Sequence, residues 1–235
     1  SEEPRRWVRR EILAREVECE MRQGHYGAAA TKFLTIVESD PDTFHYNLIP
    51  LIWTPQQLTD DDIVRARQWI DGTVSAGQLI AASFLIDNPQ HSDIARKMLR
   101  KLSTHPDGRI LGLARAQSWR ERLSTGAPTD EELHNWSTQI EAMPQELRAG
   151  PYYLLGRGRA MRKQHLAAAE AFLWIPLVYD HDPLLAGRAA LEAAHALNNA
   201  GRDAEAQTLF REVVTRYATT PYASEAKAAL ENPPQ

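Results

Sequence analysis

The sequence predicts an all-α protein, an α-solenoid of antiparallel helix pairs, on three observations. Ala168, Phe172, Tyr179 and Pro183 recur 38 residues later as Ala206, Phe210, Tyr217 and Pro221. A fixed period of a few tens of residues is the mark of stacked helix pairs. Helical periodicity also runs through nearly the whole chain, broken by short Pro, Gly and Asp turns, and strand signals are scarce. Finally, 235 residues with 43% hydrophobic and 25% charged content can bury a large core, as one long solenoid or as two short regions.

The elements follow in order. Residues 5–23 and 26–39 form a first pair across Gly24-His25, with Ile12, Val17 and Met21 on one side of its first helix and Ala29, Phe33 and Ile36 lining the second. Asp40-Pro41 closes the pair. Residues 44–53 are apolar but carry Pro50 and precede Thr54-Pro55, which predicts a short helix or a packed extended segment. Residues 60–70 pair with 74–86, and 93–102 pair with 109–123 across His105-Pro106-Asp107-Gly108. The stretch 123–128 reads as a linker between an N-terminal region, 1–123, and C-terminal repeats, 129–231. Thr129-x-x-Glu132 is a capping-box pattern opening 131–141, and Met143-Pro144 ends that helix. Helices at 146–162, 165–179, 184–199, 204–217 and 222–230 complete the chain, with Asp182-Pro183 and Thr220-Pro221 as start signals. The tail 232–235 is expected to be disordered.

The C-terminal third resembles tetratricopeptide repeats. Gly156 stands in a first helix and Ala168 and Phe172 in the second; Leu197, Ala206, Phe210 and Pro221 repeat that logic, and Asn199–Asp203 looks like the family's link between helices. The likeness covers roughly 145–230, and Gly24, Ala29, Phe33 and Pro41 carry it in part over 5–41. The 38-residue period exceeds the family's usual 34, and with Phe210-x-x-Val-Val-x-x-Tyr217 it resembles the longer repeats of bacterial envelope proteins. The resemblance implies a non-enzymatic scaffold for a protein or peptide partner, favours a periplasmic or envelope placement over a cytoplasmic one, and calls for no cofactor. In that family the first helix of each pair lines a concave groove, so the resemblance places Tyr153, Arg157 and Met161, then Arg188, Leu191, His195, Asn198 and Asn199, on that surface. Of these, Tyr153, Arg157, Arg188, His195, Asn198 and Asn199 are the expected contacts: arginine and asparagine donors for a peptide, Tyr153 for an apolar side chain.

Two rival readings stand beside it. The apolar surface is an inter-subunit contact of a larger assembly, or Tyr179-Asp180-His181-Asp182 serves a helical enzyme domain. Against the second, Asp182 stands where a helix cap is expected, and the eight histidines show no metal-ligand spacing. Gly156-Arg157-Gly158 lies inside a helical pattern with no strand before it, so it is no phosphate loop. A net charge of −4 gives no global attraction to nucleic acid, and the basic cluster Arg5, Arg6, Arg9, Arg10 sits among glutamates as a solvated helix face. Cys19, the single cysteine, reads as a packing residue, and tryptophans such as Trp69, Trp119, Trp136 and Trp174 as core anchors. No apolar run reaches the roughly 18 residues of a membrane span. The chain begins at Ser1 without methionine, which leaves room for a removed signal peptide or lipid anchor.

Overall fold

A computed structural model describes residues 3–231, which form helices and short connections with no strand among the described residues. The order is α1 (Glu3–Arg22), α2 (Tyr26–Ser39), a 3₁₀ turn (Phe44–Leu48), α3 (Asp60–Ile70), α4 (Ser75–Leu85), α5 (Ser92–Leu102), α6 (Gly108–Thr125), α7 (Asp130–Glu141), a second 3₁₀ turn (Gln145–Leu147), α8 (Ala149–Met161), α9 (His165–Val178), α10 (Pro183–Asn199), α11 (Asp203–Arg216) and α12 (Tyr222–Glu231). The protein is all-α. Two compact units divide the residues at Glu121 and Arg122, inside α6.

In the first unit, α1 packs on α2, α3 on α4 and α4 on α5. Phe33 and Ile36 of α2 are fully buried, as the Ala-to-Phe spacing predicts. Ile12 is not: it is 55% exposed while Val17 is sealed. Residues five apart on an α-helix point about 140° apart, so Ile12 and Val17 cannot share a face. Cys19, seven after Ile12, follows it to the exposed side, where its Sγ accepts from Gln23 Nε2 at 3.1 Å; it is not a packing residue.

The 44–53 segment is both things expected of it: a 3₁₀ turn, then extended chain with Ile49, Leu51 and Ile52 buried. Buried backbone outside regular structure needs side-chain partners. Ile52 N–H donates to Ser83 Oγ at 2.8 Å and its carbonyl accepts from Gln117 Nε2 at 3.1 Å. Arg120 extends the network, donating to the Ser83 carbonyl at 2.8 Å, to Gln117 Oε1 at 2.7 Å and to Asp87. Burial pulls the guanidinium's pKa down against the pull of Asp87. Arg109 pins the preceding loop through the Thr43 carbonyl at 3.0 Å while lying 4.0 Å over the Tyr46 ring.

In the second unit each helix from α7 to α12 packs on the next, and α10 also touches α8 and α12. The repeated residues occupy equivalent places: Ala168 and Ala206, Phe172 and Phe210, and Tyr179 and Tyr217 are all buried. Gly156 explains the close crossing of α8 and α9. A Cβ there would stand 2.6 Å from the Phe172 ring, so the ring lies on bare backbone. Gly158 does the same on the other side, where a Cβ would meet Leu133 at 2.7 Å and Pro128 at 3.1 Å.

Three hairpins turn alike. Gly24, Lys163 and Gly201 have φ of 77°, 60° and 72°. Each is followed by an N–H that reaches back five residues: His25 to Glu20, Gln164 to Arg159, Arg202 to Leu197, all at 2.9 Å. This is the Schellman arrangement, in which the left-handed residue lets two amides satisfy the last helical carbonyls. Only Lys163 does it with a side chain.

Thr129 and Glu132 form the expected capping box at the start of α7. Thr59 and Asp62 form another at α3, with aspartate in the place where the capping-box pattern has glutamate or glutamine. Asp182 caps α10 through Leu184 and Leu185 N–H at 3.0 and 3.2 Å. Thr220 turns its hydroxyl back onto the Tyr217 carbonyl at 2.8 Å.

Glu132 does more than cap. Arg122 donates to it at 2.7 and 2.9 Å and to the carbonyls of Gly126 and Ala127, tying the turn to α7. The Arg122 guanidinium first, then the Thr129 N–H, hold the carboxyl at about 2 against a usual 4.5. A depressed folded pKa contributes stability that is present above pH 4.5 and lost as pH falls through about 2. Glu132→Gln keeps the cap but removes the charge. Its unfolding midpoint should lie below wild type at neutral pH, and the gap should close over that acid range. A gap independent of pH would mean the charge contributes nothing.

Candidate functional site

The six side chains expected in the groove do not form one open patch. Tyr153 has no exposed surface and lies 5.6 Å, centroid to centroid, from Phe172, so no ligand reaches it in this conformation. Its position, three residues before Gly156, faces the α8–α9 crossing, which is why it is core. Its buried hydroxyl makes no ordinary hydrogen bond among the described residues, and burial pushes its pKa up. Arg188 is half-buried and engaged: Glu192 accepts from it at 2.5 Å, Glu225 lies at 3.6 Å, and its guanidinium sits 5.6 Å from the Tyr222 ring centroid. Burial draws the Arg188 pKa down, but Glu192 and Tyr153 outweigh this and hold it above the usual range.

Arg157 is half-buried near Tyr153. His195, its counterpart one period on, is exposed and packs edge-on against Phe210 at 5.0 Å. Asn198 is half-buried and Asn199 exposed at the end of α10. The structure therefore brings Tyr153 and Arg188 together as packing, and leaves Arg157, His195, Asn198 and Asn199 with surface to offer.

A different surface stands out. On α9, Leu166, Trp174, Leu177 and Val178 are 55%, 42%, 68% and 53% exposed. With Leu173, Glu170 and Leu197 they line a groove of about 420 Å³. Residues 166, 170, 173, 174 and 177 fall on one helical face. Trp174 is held from one side, stacked at 5.7 Å on Tyr152, with Tyr179 at 6.5 Å. It is not the core anchor expected of it, unlike Trp119 and Trp136, which are buried.

The repeat supplies an internal control. One period on, the same outward positions of α11 carry Ala204, Thr208, Arg211, Glu212, Thr215 and Arg216. Two helices in equivalent packing thus differ on the outside: α11 is dressed for water and α9 is not. Of the residues in α9 only His165 and Glu170 can ionise. A helix apolar all round is the sequence of a buried element, yet this one keeps a bare face.

The Tyr179–Asp182 patch is occupied by structural duties. Tyr179 is buried, Asp180 accepts from Arg216 at 2.7 Å, and Asp182 caps α10. No group of three or more metal-ligating side chains gathers among the described residues. One contact that sequence spacing did not reveal is Ser75 Oγ to His105 Nε2 at 3.0 Å. It looks like a nucleophile and its base. However, the Asp107 N–H donates to His105 Nδ1 at 3.1 Å. That nitrogen must accept, so the neutral ring carries its proton on Nε2 and donates to Ser75, whereas a general base must accept from it.

No family model, curated protein or solved structure matches the chain. Among the described residues, no helix is long and apolar enough to cross a membrane.

Proposed function

We infer that this chain is a non-enzymatic docking protein built from tetratricopeptide-like helix pairs, and that the outer face of α9 is its principal contact surface. The observation that carries the reading is the contrast between α9 and α11 at equivalent outward positions. Core demands are the same in both, so the extra leucines and tryptophan of α9 answer to something outside the unit. Exposed contiguous apolar surface marks interaction sites, and a tryptophan stacked on one side is the rigid anchor on which interface energy concentrates. The shared Schellman turns and the α8–α10–α12 contacts fit successive pairs of a solenoid. Arg157, His195, Asn198 and Asn199 form a second, polar contact surface in the same scheme, and the envelope placement rests on the longer repeat.

The test uses a photo-crosslinking amino acid placed at position 177 and, as a control, at its counterpart 215, in cells producing the full chain. Discrete polypeptide adducts from 177 and none from 215 are expected. Equal adducts, or none, from the two positions would overturn the reading.

A further inference from the structure

The α9 face is not the only bare apolar face. On α1, Val8 and Ile12 are 46% and 55% exposed, and shallow apolar grooves run along Val8, Ile12 and Cys19. The residual charges on the two faces differ in sign. Four glutamates of α1 are engaged within their own unit: Glu11 on His45 at 3.2 Å, Glu16 on Lys32 at 2.8 Å, Glu18 on Arg15 at 3.0 Å and Glu20 on His25 at 3.0 Å. Arg5 and Arg9 flank the apolar residues and have no partner among the described residues. On α9 the one carboxylate of the stripe, Glu170, likewise has no partner among the described residues.

We propose that the occupant of the α9 groove is the α1 face of a second copy of this chain, paired head to tail. Ile12 and Val8 of one copy cover the leucines and Trp174 of the other, and Glu170 meets Arg5 and Arg9. This rests on the docking role assigned to α9 above. An isologous α9–α9 pairing would instead bring two uncompensated Glu170 carboxylates into one apolar seam. Head-to-tail contact is heterologous, so it leaves one free face at each end and builds rings or open chains.

The full chain should show a mass by sedimentation or light scattering that rises with concentration. Leu177→Glu blocks one face and Ile12→Glu the other; both positions are exposed, so the helical spectrum should not change. Each variant alone should be monomeric. Mixed, they should form a 1:1 complex that stops at two chains, because each keeps the face the other lost. Glu170→Arg should weaken association about tenfold or more, and a partner copy carrying Arg5→Glu and Arg9→Glu should recover it. A wild-type chain monomeric up to its solubility limit overturns the proposal. So does Leu177→Glu dissociating the assembly while Ile12→Glu leaves it intact, which would mean that α9 pairs with itself. Binding of a monomeric chain to phosphatidylglycerol vesicles, lost in Ile12→Glu, would assign α1 to an anionic lipid surface instead. If crosslinks from position 177 join a different polypeptide while the chain stays monomeric, the docking role stands and the second-copy occupant falls.

Discussion

Phe172→Ala is expected to cost about 3–5 kcal/mol, the range for emptying a buried aromatic site. The reason lies in Gly156. The ring rests on backbone with no Cβ beneath it and against Tyr153, and all of these are helix-borne and cannot slide into the hole. The cavity therefore persists, and cost rises with the cavity left behind. Phe210→Ala should fall at the lower end of the range, because exposed His195 covers its ring and can move in. Denaturant unfolding of the full chain measures both. A loss below about 1 kcal/mol for Phe172→Ala would mean that the α8–α9 crossing is not packed as described.

Gln117→Leu is the second large effect, about 2–4 kcal/mol, and it comes from polarity rather than volume. Leucine fills similar space, but the Ile52 carbonyl loses its donor and Arg120 loses its acceptor at 2.7 Å. Two buried groups left unsatisfied cost roughly 1–3 kcal/mol each. Arg120→Met added to Gln117→Leu should recover part of the loss by removing the guanidinium N–H left without an acceptor, as an apolar replacement of a buried ionic group often does. Purely additive losses in the double variant would show that Gln117 and Arg120 act independently.

The fold was legible where one physical rule governs. Helix limits such as 60–70 follow from periodicity and punctuation, and the 38-residue register placed Phe172 and Phe210 in the core. The exceptions are physical too. Ile12 looked internal only because apolar identity was read without its angle on the helix. The anchoring of residues 49–54 joins Ser83 and Gln117 to Ile52 across 31 and 65 residues, a separation no local pattern encodes. As for the site, the groove residues were chosen by counting along the family register, which fixes a helix face but not its depth; Tyr153 fell in the seam and Arg188 among carboxylates. The α9 face was in plain view, since aligning Leu166–Val178 with Ala204–Arg216 shows it at once. Leucine and tryptophan read as core by default, and that hides it.

The turn at Lys163 has a consequence for how the molecule breathes. A side chain in the left-handed region costs about 1–2 kcal/mol that glycine avoids. Gly24 and Gly201 hold the same geometry without that cost, so the α8–α9 hairpin begins with a smaller margin against local opening than its two relatives. That hairpin also bears the bare apolar face of α9. Amide exchange should show its amides opening at lower free energy in the isolated chain, and a partner covering α9 should protect them. On the docking role proposed for α9, contact at the surface and order at the turn would be coupled in a single two-helix element.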